Sequence, residues 1–231
     1  MTGAEAVGAR ADRDRILAFD TATTVAMVAL GTSDGVLLGS TSWVAGYRHG
    51  EELLGRIDTV LGRAGVPFAA LGAIAVGTGP GAFTGLRVGL ATAKGLAHGL
   101  AIPIVGVPTA AALLAAVTDD PGAALLLPAG PRERVLWRSG RAVLLDHGAE
   151  PDLPAGTILV AVDLPDRAPD AAIALGEQAR AGLPAALLAL AAERLRRGAA
   201  DDLAGLVPEY VSLPRGVTAT AGTVEWSRGP G

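Results

Sequence analysis

Between Ile16 and Val107 the hydrophobic pattern changes period several times, and the order of those changes restricts the fold more than any single residue. Ile16-Leu17-Ala18-Phe19, ending in Asp20, reads as a buried strand. Residues 25–30 and 36–41 read as two more, joined through Thr32-Ser33-Asp34-Gly35, whose Asp-Gly pair is a hairpin signal. Leu53, Leu54, Ile57, Val60, Leu61 and Ala64 then recur at helical spacing until Gly65 and Pro67 end the helix. Residues 73–76 form a strand, about 85–100 a helix closed by Pro103, and 104–107 a fifth strand.

The order β-β-β-α-β-α-β is that of a ribonuclease-H-like α/β lobe, the unit repeated in the actin/Hsp70/sugar-kinase superfamily. Beyond Pro108 the pattern predicts a helix over 110–117, strands over 123–127, 134–137, 142–145 and 158–162, and an amphipathic helix over 184–197 with Pro184 in its first turn. This reads as a second, reduced lobe on the same plan. The expected division is a disordered leader at 1–14, a first lobe at 15–108, a smaller diverged lobe at 109–215 whose helix (about 184–197) returns to the first, and a disordered tail at 216–231.

Composition removes several classes of function. The 231-residue chain has net charge −4, and its basic spots, Arg194-Leu195-Arg196-Arg197 and Pro131-Arg132-Glu133-Arg134, are too short to hold a phosphate backbone tightly. Any nucleic acid is therefore expected to be held by a partner. No cysteine is present, which excludes disulfides, thiolate zinc sites and a cysteine nucleophile. Residues 1–14 lack the apolar core of a signal peptide, and no stretch approaches the roughly 20 apolar residues that span a bilayer. A cytoplasmic protein without membrane contact is expected.

The run from Val76 to Gly85, Val76-Gly77-Thr78-Gly79-Pro80-Gly81-Ala82-Phe83-Thr84-Gly85, joins a strand to a helix start, where free N–H groups suit an anion. Its spacing is neither that of a P-loop nor that of the dinucleotide fingerprint. Gly79, Gly81 and Thr84 are candidate ligand-facing residues, with Asp20, Thr21 and Thr23 at the end of the first strand; Asp20 can equally order the turn that follows it. Gly85, Gly89, Ala93 and Ala97 fall four apart and leave one ridge of the helix bare, for packing either within the chain or against another subunit. His49, His98 and His147 form no His-x3-His or His-Glu-x-x-His pair, so no metal site is expected, and no Gly-x-Ser-x-Gly elbow is present.

The run Gly79-Pro80-Gly81-Ala82-Phe83-Thr84-Gly85-Leu86-Arg87-Val88-Gly89, followed by Ala93-Lys94-Gly95-Leu96-Ala97, closely resembles the TsaB family. Phe19-Asp20-Thr21-Ala22-Thr23 is similar to that family's opening motif, Arg48-His49-Gly50-Glu51-Glu52-Leu53-Leu54 to its His-x-x-x-Leu-Leu helix start, and Pro208-Glu209-Tyr210-Val211 to its C-terminal Pro-x-Tyr-Leu-Arg motif. The strong resemblance covers roughly residues 15–110. It implies a non-catalytic paralogue and partner of the TsaD catalytic subunit, working with the ATPase TsaE to form threonylcarbamoyladenosine at position 37 of ANN-decoding tRNAs. It also implies a helix-mediated heterodimer or homodimer, with Gly85, Arg87, Gly89, Ala93, Ala97 and His49 as pairing residues. No cofactor is expected on this chain alone, ATP and Mg²⁺ belong to the complex, and tRNA is reached through the partner. The alternative is a free-standing nucleotide-binding enzyme of the same fold, a kinase or a glycoprotease-like peptidase. The chain departs from the family at Ala82 (usually Ser), at Gly55 (usually Pro), after Tyr210 (where the Arg is missing) and over residues 128–135, which replace an Asp-Ala-Arg-x-x-Glu-Val-Tyr segment.

Overall fold

A computed structural model gives the architecture, with residues 13–45 and 49–210 described. β1 (Arg15–Asp20), β2 (Val25–Thr32) and β3 (Leu37–Val44) form an antiparallel meander, and β4 (Leu71–Gly77) and β5 (Ile104–Val107) add in parallel beside β1. The resulting strand order is β3-β2-β1-β4-β5. Two helices, α1 (His49–Ala64) and α2 (Phe83–Leu100), cover one face. β1 shows why its sequence is continuously apolar: Leu17 and Phe19 pack with Leu53, Ile57 and Leu90 on that face, whereas Ile16 and Ala18 join the core on the other. A strand covered on both sides does not alternate.

The second sheet comprises β6 (Ala124–Pro128), β7 (Arg134–Arg138), β8 (Arg141–Leu145) and β9 (Leu159–Ala161), in the order β8-β7-β6-β9 with β9 parallel to β6. This repeats the β3-β2-β1-β4 part of the first sheet. Residues 146–158, which occupy the place of α1, contain no helix. Two helices, α3 (Thr109–Ala115) and α4 (Asp170–Arg196), lie between the sheets, where Leu113, Leu183 and Leu187 meet Val105 and Val107 from one side and Leu125 and Val160 from the other.

The helix expected to start at Pro184 begins fourteen residues earlier, at Asp170, and Pro184 lies buried in its interior. Interior proline removes one helical hydrogen bond. Here tertiary packing outweighs that loss, because the preceding turns hold Ala172, Gly176 and Ala179 in the core. The leader expected at 1–14 falls outside the described residues except for Arg13 and Asp14, and the tail expected at 216–231 lies wholly outside them. Among the described residues no helix is long and apolar enough to cross a membrane.

After α4 the chain returns along β5. The Asp201 N–H donates to Ile104 O (2.9 Å), its Oδ2 accepts the Gly106 N–H (2.7 Å), and the Glu209 N–H donates to Thr78 O (2.7 Å). This C-terminal arm delivers Tyr210 to the start of α2.

Candidate functional site

Because β1 and β4 run parallel with Phe19 beside Val76, Asp20 ends its strand next to the Gly-rich loop. The side chain is completely buried. Its Oδ1 accepts the Ala22 N–H (2.8 Å) and its Oδ2 accepts the Thr109 hydroxyl (2.6 Å), while Thr109 Oγ1 accepts the Gly79 N–H (3.0 Å). One carboxylate thus ties together the β1–β2 turn, the start of α3 and the Gly-rich loop. Burial pushes the Asp20 carboxyl above the usual carboxylate range, and the hydrogen bonds from Thr109 and Ala22 oppose that rise.

The loop glycines serve this contact. A Cβ on Gly77 would lie 1.7 Å from Asp20 Oδ2, and one on Gly81 2.2 Å from Ala22 O. The Ala82 N–H donates to the same Ala22 O (2.7 Å). Of the six residues expected to face a ligand, Thr23 and Gly81 line the cleft between the lobes. The others do not. Asp20 and Thr21 are buried beneath it, with the Thr21 hydroxyl donating to Gly85 O (2.7 Å); Gly79 lies under Glu209; and Thr84 is on the exposed side of α2. Of the two roles the sequence leaves open for Asp20, the geometry supports turn ordering, since both oxygens are used inside the protein.

The cleft has a volume of about 500 Å³ and lies between the β1–β2 turn, the Gly-rich loop and residues 127–130 of the second lobe. Asp163, just after β9 and in left-handed backbone conformation (φ +61°), closes one end. Its carboxylate accepts the Thr24 N–H (2.7 Å), the Thr24 hydroxyl and the Arg180 guanidinium. A second cavity of about 410 Å³ is also lined by Thr24 and Asp163, so this clasp partitions the space between the lobes. The sequence offered no sign of it beyond an Asp following a buried strand. Among the described residues no group of three His, Asp or Glu side chains could hold a metal ion.

Helix α2 requires a correction. Gly85, Gly89, Ala93 and Ala97, expected to pair with another subunit, face the chain's own sheet and are buried. A Cβ on Gly89 would lie 2.4 Å from Thr21 Oγ1 and 3.7 Å from Val76 Cγ2. The bare ridge allows β1 and α2 to approach closely. Arg87 lies on the exposed side, its guanidinium over the Phe83 ring (5.0 Å), and Phe83 in turn packs against Tyr210 (5.0 Å between centroids). Ala91, Gly95 and Gly99 share the exposed side, and a Cβ on either glycine would meet nothing. Neighbouring α1 presents Gly55 and Gly62, equally open, beside exposed Leu54. Of His49, only its place as the first residue of α1 is described.

Comparison with known proteins places this arrangement. The model of the family described as TsaD, tRNA N6-adenosine threonylcarbamoyltransferase, matches residues 43–162. An uncharacterized protein of Mycobacterium tuberculosis is 33% identical over 204 residues, covering 86% of this chain and 92% of that one. The tRNA threonylcarbamoyladenosine biosynthesis protein TsaB of Escherichia coli is 39% identical over 95 residues, 41% of this chain and 40% of that protein. The solved structure of YeaZ from Pseudomonas aeruginosa superposes with a TM-score of 0.65 at 28% identity, covering 86% of this chain and all of that one. The chain belongs to the TsaB family. The TsaB-like motifs that the structure describes converge on one place: the turn at 20–23, the loop and helix start at 79–87, and Pro208-Glu209-Tyr210 meet through Asp20, Thr21, Phe83 and Tyr210. The segment 128–135, which departs from the family's pattern, forms the second lobe's wall of the cleft through Pro128, Ala129, Gly130 and Val135.

Proposed function

We propose that this TsaB-family chain is a non-catalytic partner subunit in the formation of N6-threonylcarbamoyladenosine on ANN-decoding tRNAs, supporting a TsaD-type catalytic subunit. The relatives named for that pathway support the biological process. The observation that carries the subunit role is the direction in which the motif residues point. Asp20, Thr21 and the loop glycines spend their polar and steric capacity inside the lobe, building a rigid base. The outer sides of α1 and α2 stay bare at Gly55, Gly62, Gly95 and Gly99, which suits close approach of another helical surface. The free-standing enzyme has less support, because Asp20, the residue that motivated it, is fully engaged within the fold. In this reading a TsaE-type ATPase, ATP and Mg²⁺ act at the level of the complex, and tRNA is reached through the catalytic subunit.

Mixing the chain with the TsaD-type subunit of the same organism should yield a complex on gel filtration. Gly95→Trp places a large side chain on the outer face without touching the core, so it should weaken association by roughly a hundredfold or more without lowering the unfolding midpoint. Unchanged affinity of Gly95→Trp would show that the partner uses another surface.

A further inference from the structure

The second lobe holds a cavity of about 430 Å³ that shares no lining residue with the cleft. It lies where the segment entering β7, the stretch after β8 and the approach to α4 meet. Arg132, Arg134, Arg167 and His147 line it, together with Glu150 and Asp166. Three guanidiniums against two carboxylates leave one positive charge in surplus, in a chain of net charge −4. Pairing within the cluster is weak. Glu150 reaches Arg134 at 3.6 Å, but its side chain is 80% exposed, and solvent screens such a pair. Arg132, Arg167 and Asp166 have no ion-pair partner among the described residues.

The wall of this cavity is built from its own arginines. Arg134 is buried and donates to Arg167 O (2.8 Å) and to Ala149 O, which ties the stretch after β8 to the approach to α4. Arg167 donates through Nη1 to Pro131 O (3.0 Å) and Gly130 O (3.4 Å). Carbonyl oxygens order a guanidinium without neutralising it. The Nε and Nη2 donors of Arg167 have no protein acceptor among the described residues, and Arg132 has none for any of its donors. Free guanidinium N–H groups suit the oxygens of a phosphate, which they can bind in pairs. Ordering Arg167 in advance lowers the entropy lost on binding.

We propose that this cavity binds the phosphate group of a small molecule, with Arg132 and Arg167 as the donors that hold it. The site is independent of the partner-subunit reading and stands or falls without it. Its volume is that of a small-molecule pocket. A phosphate group carries close to two negative charges near neutral pH, so it gains more from the positive surplus than a single carboxylate would. A nucleic-acid backbone is a poorer occupant, because tight binding uses about six to ten phosphate contacts and this cavity offers three arginines. Arg132 and Arg134 belong to the segment 128–135 that departs from the TsaB pattern, so the site is expected of this chain and not of the family at large.

The test is calorimetry and thermal unfolding of the full chain with inorganic phosphate and with pyrophosphate, at constant ionic strength with sodium chloride as the control. Both probes should bind saturably to one site and raise the unfolding midpoint, and chloride should do neither. Arg132 is exposed and makes no bond within the protein, so Arg132→Ala should leave the midpoint without phosphate unchanged. The same variant should weaken phosphate binding by about tenfold, the loss expected for one charge-assisted contact. Arg132→Lys should recover part of that affinity, and Arg167→Gln should weaken binding at least as much as Arg132→Ala. Absence of saturable binding by either probe would overturn the proposal. Wild-type affinity in both Arg132→Ala and Arg167→Gln, or an equal midpoint rise with chloride, would overturn it as well. Retention of tRNA on a filter by the wild-type chain and not by Arg132→Ala would assign the cavity to nucleic acid and overturn the small-molecule reading.

Discussion

Alanine at Gly89 should cost the isolated chain about 2 kcal/mol, whereas alanine at Gly95 on the same helix should stabilise it by about 1 kcal/mol. Both substitutions remove the helix penalty of glycine, worth about 1 kcal/mol. They differ in what the new methyl group meets. At Gly89 it would sit 2.4 Å from Thr21 Oγ1, whose hydroxyl is held by Gly85 O at 2.7 Å. Overpacking of about 1–3 kcal/mol and the disturbed buried hydrogen bond then outweigh the helix gain. At Gly95 the methyl meets nothing. Urea unfolding of the two variants measures the contrast, and equal effects would mean that the inward and outward sides of α2 are misassigned. For the same reason an arginine at Gly89 would disrupt the fold and cannot report on a subunit interface.

Asp20→Ala should cost about 3 kcal/mol, because it strands the Ala22 N–H and removes the acceptor of the Thr109 hydroxyl in a site without water access. Asp20→Asn keeps one acceptor and should cost less. The pair also separates charge from geometry. With the folded carboxyl raised above its unfolded value by burial, the folded state holds the proton to higher pH than the unfolded chain. The contribution of Asp20 is therefore fully present below the unfolded carboxylate pKa. It is lost as pH rises through the folded value and stays flat above that. The stability of wild type relative to Asp20→Asn should fall with rising pH across that window. A difference that grows with pH would mean that the carboxylate is stabilised as an anion, the opposite of what its burial implies.

The order of elements from β1 to β5 was legible because each change of hydrophobic period coincides with a turn signal, as at Asp34-Gly35 and Gly65–Pro67. The start of α4 was not, since Pro184 looks like a first-turn residue until the packing of Gly176 and Ala179 is known. The spacing of Gly85, Gly89, Ala93 and Ala97 marks a bare ridge and leaves two directions open, and the structure turns it toward the chain's own sheet. Four-residue spacing says how close a neighbour can come, and not which neighbour it is. Its direction was recoverable: Leu86 and Leu90, both buried, flank the ridge, and Arg87 and His98 mark the opposite side. Asp163 lay beyond sequence reasoning, because its bond to Thr24 joins positions 139 apart. Asp20 was found by its place at a strand end, but its burial, which decides between ligand and turn, depends on Thr109 arriving from α3.

The most direct test of the role proposed for this chain is nucleoside mass spectrometry of tRNA from cells that lack it. Threonylcarbamoyladenosine in ANN-decoding tRNAs should fall sharply, recover with the wild-type chain, and fail to recover with Gly95→Trp. An unchanged level of the modified nucleoside in cells lacking the chain would contradict a role for it in that modification.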